Sequence, residues 1–260
     1  MSGTWNPNQY EKFKNERSQP FFDLLDFIKP DTFKEAIDLG CGTGELTRIM
    51  HDRFKPQQTT GMDSSGEMLA KTKSFSSADL NFLQGDIDVW EKPDAYDLIV
   101  SNAALQWSPG HRDLFQRLHR SLRPGGQLAV QMPMNHDYPT HVLSQAMSHE
   151  EHWKKALGGH TYDKPKTMLT VEEYANLIYK LGFQEQRVEL KVYGHILPTR
   201  EGVIEWVRGS MLTYFEKHMS KTDYADFLQE YQSRLFQILP DDKPFFYPFK
   251  RVFIWARKAT

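Results

Sequence analysis

Glu35-Ala36-Ile37-Asp38-Leu39-Gly40-Cys41-Gly42-Thr43-Gly44-Glu45 joins an apolar run, a glycine-rich turn and the start of a helical pattern. Ala36, Ile37 and Leu39 form a short apolar run, the pattern of a strand buried on both faces. The three glycines that follow make a turn almost free of side chains. Glycine tolerates positive φ and lets a ligand approach the backbone closely. From Glu45 the apolar spacing becomes helical, with Leu46, Ile49 and Met50 on one face. Strand, glycine turn and helix make a nucleotide-type site at the carboxyl end of a parallel strand. No Gly-Lys-Ser/Thr ending is present, which disfavours a triphosphate-cradling loop, and the spacing departs from the dinucleotide G-x-G-x-x-G. Asp38 ends the strand just before the glycines. A carboxylate there would repel a pyrophosphate and suits a cationic ligand.

S-adenosylmethionine is such a cation, carrying a sulfonium and an amino group. Asp38-Leu39-Gly40-Cys41-Gly42-Thr43-Gly44 resembles motif I of the class I methyltransferases. A second strand ends in Asp63, about twenty residues on, the spacing at which an acid binds ribose hydroxyls. Its carboxylate can accept both hydrogen bonds of a vicinal diol. Ser64 and Met68 flank that position as further cofactor candidates, and Ser65 is the expected cap of a helix over Gly66 to Phe75. Leu80 to Leu83 reads as a third strand. It leads to Asp86, placed for an adenine amino group, and Ile87, whose backbone amide faces a ring nitrogen; a plain turn is the other reading of Asp86. Cys41 reads as a small residue in a tight place, with no partner for a nucleophile.

Tyr96 to Asn102 is a fourth strand, with Asn102 at its ligand end, followed by Gln106 and Trp107. A helix is expected from His111 to Leu122, stopped by Arg123-Pro124-Gly125-Gly126, and then a fifth strand from Gln127 to Met132. Alternation of strands and helices over 35–132 demands a parallel, doubly wound sheet. Right-handed crossovers then set the motif turns along one edge. Upstream, residues 7–29 read as a helix broken near Pro20, in which Arg17 is a candidate for the cofactor carboxylate. Beyond Pro133, helices are expected at 140–157, 170–181, 201–218 and 221–238, with strands at Phe183–Tyr193 and Phe249–Ala256. The expected fold is therefore α/β: a mostly parallel, doubly wound, seven-stranded, Rossmann-like sheet. Its organisation is an N-terminal helical lid over 1–30, a cofactor-binding core over 31–135, and a C-terminal half over 136–260. In that last part, insertions at 140–181 and 198–246 form a cap.

The chain has 260 residues, 25% of them charged, with a formal net charge of −2. That gives no bulk electrostatic case for nucleic acid or a membrane surface as partner. No apolar run is long enough to span a bilayer and no signal peptide is visible at the start. One cysteine excludes an internal disulfide and fits a cytoplasmic setting. His136, His141, His149 and His152 invite a metal reading, but no cysteine or carboxylate set completes a four-ligand site, so no metal is expected.

A narrower resemblance covers nearly the whole chain. Asn102-Ala103-Ala104-Leu105-Gln106-Trp107, Gln131-Met132-Pro133-Met134-Asn135, Trp206-Val207-Arg208-Gly209-Ser210 and Pro248-Phe249-Lys250-Arg251-Val252-Phe253 are similar to the trans-aconitate 2-methyltransferase family, as is Glu16-Arg17-Ser18-Gln19-Pro20. The resemblance implies methyl transfer from S-adenosylmethionine to a carboxylate of a small polycarboxylic acid. A monomer is expected. A carboxylate, with a pKa near ~4, is already a nucleophile at neutral pH. Positioning and exclusion of water are then the enzyme's task. Arg208, Arg251 and Tyr214 are the acceptor-binding candidates, with Gln106, Trp107 and His111 at the reacting end. A malonyl-thioester methyltransferase and a non-catalytic S-adenosylmethionine-binding protein are the alternatives.

Overall fold

Seven strands make one mixed sheet: β1 (Glu35–Leu39), β2 (Gln58–Asp63), β3 (Leu80–Gln84), β4 (Tyr96–Asn102), β5 (Leu122–Pro133), β6 (Phe183–Leu197) and β7 (Phe245–Lys258). The structure is a computed structural model that describes residues 14–163 and 168–260, with side chains from residue 18 onward. The strand order is β3-β2-β1-β4-β5-β7-β6. β1 to β5 pair in parallel, and β7 runs antiparallel to β5. The crossovers from β1 build outward to β2 and β3, whereas β4 and β5 build the other way. β1 and β4 therefore flank the topological switch point, where open α/β sheets bind ligands beyond the carboxyl ends of their strands.

The central strands are apolar because both faces are covered. Ile37, Leu39, Leu98, Ile99, Val100, Leu128, Ala129 and Val130 are all buried. Each such aliphatic side chain larger than alanine contributes about 1.5–3 kcal/mol.

The chain divides into two compact units. Among the described residues, the core unit holds 17–133, 168–191 and 251–260, and the helical unit holds 14–16, 134–163 and 192–250. Helices of the core unit are α1 (Lys14–Leu25, from Arg17 on), α2 (Glu45–Phe54), α3 (Gly66–Leu69), α4 (His111–Ser121) and α7 (Val171–Lys180). The helical unit contains α5 (Pro139–His149), α6 (Glu151–Ala156), α8 (Glu201–Arg208), α9 (Leu212–His218) and α10 (Lys221–Ile238). An aromatic cluster holds it together: Phe227 stacks on Phe215 at 4.4 Å and meets Trp153 edge-on at 5.1 Å.

Several sequence expectations need correction. Pro20 does not break α1, because burial of Phe21, Leu24 and Leu25 offsets the one hydrogen bond a proline removes. The helix expected over Gly66–Phe75 is only α3 and a 3₁₀ turn at Thr72–Ser74. The expected helix at 140–157 is two, divided at Glu150, whose carboxylate is bound by Arg234 of α10. The one at 201–218 is divided at Gly209-Ser210. Arg123-Pro124-Gly125-Gly126 is an irregularity inside β5, where the pairing slips between Tyr96 and Leu98. Finally, α7 is no part of an insertion. Its Tyr174 packs on His111 and Phe115 of α4, at 5.8 and 5.5 Å, inside the core unit.

Candidate functional site

The glycine turn is tied to β2 by two donors on one carbonyl: Gly40 N and Cys41 N lie 2.7 and 3.0 Å from Met62 O. Gly40 has φ +80 and Gly42 φ +56, conformations that L side chains rarely adopt. At Gly40 space forbids substitution as well. A Cβ on Gly40 would lie 2.2 Å from the Ala104 Cβ, and one on Gly42 would lie 3.1 Å from the Met68 Cε. The same test at Gly40 finds the Ile87 Cδ1 at 3.8 Å. Met68, Ile87 and the segment after β4 therefore converge on this turn. Cys41 is buried there, and burial, then Asp38 and Asp63, push its thiol pKa up, so it stays protonated and is no nucleophile.

Two carboxylates frame the turn. Asp38 is 3% exposed, and the Thr47 hydroxyl donates to its Oδ2 at 2.6 Å. Burial lifts its pKa to about 6 against the opposing pull of Thr47, and nearby Asp63 adds to the rise. Asp63 ends β2. Its Oδ2 accepts Gly42 N and its Oδ1 accepts Ser65 N, each at 2.9 Å. Ser65 caps α3 by accepting Met68 N at 3.3 Å, while Ser64 is exposed and its carbonyl accepts Gln84 Nε2. Asp86 accepts the amide of Asp88 at 2.9 Å, the turn geometry that was its other reading, and its Oδ1 alone is used for this. Arg117, which sequence reasoning passed over, donates from α4 to the carbonyls of Ile87 and Asp88 at 3.4 and 2.9 Å. Nothing in its local sequence marked it, since its partners lie 30 and 29 residues earlier in the chain.

At the end of β4, Asn102 is in register with Gln131, and its Oδ1 is buried without a partner. Ala103 takes φ +53, and Gln106 Nε2 donates to its carbonyl at 2.7 Å. That bond orients the Gln106 amide, so its Oε1 is the buried, unpartnered atom. Gln106 therefore offers a buried acceptor, and the second hydrogen of its NH₂ is not used in this bond. Trp107 is 53% exposed, which excludes core packing. His111 is corrected too. Its Nδ1 lies 2.5 Å from the Tyr174 hydroxyl and its Nε2 3.0 Å from the Leu105 carbonyl, so both ring nitrogens are committed inside the protein.

Arg251 does not open the last strand. It stands inside β7 opposite Pro133, 4% exposed, with Nη1 3.4 Å from Gln131 Oε1. In the helical unit, Arg208 Nη1 pairs with Glu205 at 3.1 Å, and its Nε is buried without a partner. The Tyr214 hydroxyl donates to the Thr161 carbonyl at 2.8 Å, so its proton is not available to a carboxylate, a further correction. The side chain of Arg17 lies outside the described residues.

The core-unit edge is thus rich in acceptors: Asp38, Asp63, Asp86, Asn102 Oδ1 and Gln106 Oε1. This set fits the donors of S-adenosylmethionine, namely an ammonium, a ribose diol and an adenine amino group.

Residues 36–126 match the methyltransferase domain family. The chain is 41% identical to a trans-aconitate 2-methyltransferase of Deinococcus radiodurans, over 98% of each chain. It is 35% identical to the protein of that name from Acidovorax ebreus and 34% to the one from Escherichia coli, again over 98% of each. Among solved structures, the Bacillus subtilis protein YcgJ superposes with a TM-score of 0.61 at 12% identity, covering 93% of this chain and 99% of that one. A Haemonchus contortus phosphoethanolamine N-methyltransferase 2, in complex with phosphomonomethylethanolamine and S-adenosylhomocysteine, gives 0.57 at 20% identity, over 97% of this chain and 56% of that one. Likeness at such identities speaks for the fold alone. Sequence identity along the full length says more: this chain belongs to the trans-aconitate 2-methyltransferase family, S-adenosylmethionine-dependent enzymes built on the Rossmann-like class I methyltransferase fold.

Proposed function

We propose that this protein makes a methyl ester on one carboxylate of trans-aconitate or a close polycarboxylic acid. The observation that carries the reading is 41% identity, end to end, with a relative of that name. Bound S-adenosylmethionine supplies an electrophilic methyl group on its sulfonium.

The chain's own residues bind and orient. Asp63 keeps lone pairs for the ribose diol beyond its two backbone donors, and Asp38 faces the cation with Asn102 Oδ1 and Gln106 Oε1 as neutral acceptors. Trp107, half exposed beside Gln106, walls the reacting end. No general base is required, because a carboxylate at neutral pH is already ionised. The burial of His111 agrees with this: it has no nitrogen to offer a substrate. The acid's non-reacting carboxylates need cations. We assign one to Arg208, whose planar fork has an unused buried Nε, and hold Arg251 beside Gln131 as the second. A reducing, cytoplasmic setting is part of the proposal, supported by the single cysteine.

The test is incubation with methyl-labelled S-adenosylmethionine and a panel of di- and tricarboxylic acids. Base-labile label on trans-aconitate is expected. Turnover of no free acid in the panel would overturn the proposal.

A further inference from the structure

We infer that His111 and Tyr174 are positioning residues: together they hold the segment 103–108 against the glycine turn. The inference rests on the methyltransferase reading for its kinetic part only.

The chemistry of the partners fixes the protons. A neutral imidazole has one donor nitrogen and one acceptor nitrogen. The Leu105 carbonyl can only accept, so His111 Nε2 carries the proton at 3.0 Å from it. Nδ1 then presents a lone pair, and the Tyr174 hydroxyl donates to it at 2.5 Å. The same hydroxyl oxygen accepts Leu169 N at 3.4 Å. His111 is 2% exposed and Tyr174 is fully buried, and burial holds the histidine pKa below its usual value, which keeps the ring neutral. Tyr174 is itself placed by the capping box at the start of α7, where Thr170 Oγ1 accepts Glu173 N and Glu173 accepts Thr170 N.

What the pair holds is the segment just after β4, which touches the glycine turn at Gly40. Ala103 sits in the left-handed region, a conformation that persists only where the surroundings impose it. Ala103 N donates to Gln131 O at 2.8 Å, Trp107 N to Ala104 O at 3.1 Å, and Ser108 N to Leu105 O at 3.0 Å. Ala104 lies so close to Gly40 that no Cβ fits between them. Gln106 and Trp107 ride on the same 3₁₀ turn, Leu105–Trp107. A displaced Leu105 carbonyl therefore moves the floor of the cofactor turn and both side chains at the reacting end. Plain packing is a separate matter: the Phe115 and Tyr174 rings meet at 5.5 Å with or without a hydroxyl.

Tyr174→Phe keeps the rings and removes the hydroxyl, that is the donor to His111 and the long 3.4 Å contact from Leu169 N, so it separates hydrogen bonding from packing. In the wild type, nitrogen NMR of ¹⁵N-histidine-labelled protein at pH 7 is expected to show His111 neutral with its proton on Nε2. In Tyr174→Phe, amide exchange at Trp107 and Ser108 is expected to rise about tenfold, the weight of one net hydrogen bond, with little change in Tm. With saturating cofactor and trans-aconitate, kcat should fall by a similar factor. His111→Gln, whose amide also offers a donor and an acceptor, should retain more activity than His111→Leu. A proton on Nδ1, or unchanged exchange at 107–108 in Tyr174→Phe, overturns the inference. Tautomer and exchange are read without the acid, so they stand or fall apart from the assignment of the acceptor.

Discussion

Asp63→Asn is the most informative single change in the cofactor site. The native carboxylate has about four lone-pair sites. Two are filled by Gly42 N and Ser65 N, each at 2.9 Å, and two remain for a ribose diol. Asparagine keeps the shape but offers one oxygen, hence two sites, and turns an NH₂ toward groups that are themselves donors. Two of four hydrogen bonds to a charged group are lost in the complex, each worth about 1.5–3 kcal/mol. One of them falls on the fold, at Gly42 or Ser65, and the other on the cofactor. Calorimetry with S-adenosylhomocysteine should therefore show affinity weakened about ten- to a hundredfold, and urea denaturation should show a loss of about 1.5–3 kcal/mol in the free protein. A folded variant that binds S-adenosylhomocysteine as well as the wild type would refute the role of Asp63 at the ribose.

Three other outcomes are expected. Because burial raises the Asp38 pKa to about 6, cofactor affinity should rise with pH from 5 to 7 as the carboxylate ionises, and calorimetry of Asp38→Asn should lose that dependence. The stability term runs the other way: a folded pKa above the unfolded one, near ~4, favours the fold at low pH, and that contribution is lost as pH rises through about 6. Gly40→Ala should abolish detectable cofactor binding, since its Cβ meets Ala104 at 2.2 Å; Ala104→Gly added to it should restore part of the affinity but not all, because φ +80 remains strained. Arg208→Ala should raise the KM for trans-aconitate by about thirtyfold, roughly 2 kcal/mol, with cofactor affinity unchanged, and Arg208→Lys should recover only part; normal acid kinetics would remove Arg208 from acceptor binding.

Much of the cofactor edge was legible in the sequence, because what specifies it is local. A glycine turn after a buried strand, and an acid at the end of the next, depend on spacings of a few residues to about twenty. Parallel alternation then obliges those turns to share an edge, and the sheet places Asp38, Asp63, Met68 and Ile87 around Gly40 and Gly42 accordingly. Side chains whose use depends on a distant partner were not legible. His111 reads as a polar residue at the start of a helix until Tyr174, 63 residues later, is seen to occupy it. Gln106 reads only as a residue at the reacting end until its Nε2 is seen on the Ala103 carbonyl, which fixes where its oxygen lies. Periodicity likewise located the helices of 140–218 but not their breaks at Glu150 and Gly209, nor that α7 belongs to the core unit. Local spacing determined the motif turns and the parallel alternation of the first five strands; the tertiary structure decided the strand order, with β7 antiparallel beside β5, and which polar atoms stay free for a ligand, because each hydrogen atom or lone pair can be spent only once and its competitor is chosen by the fold.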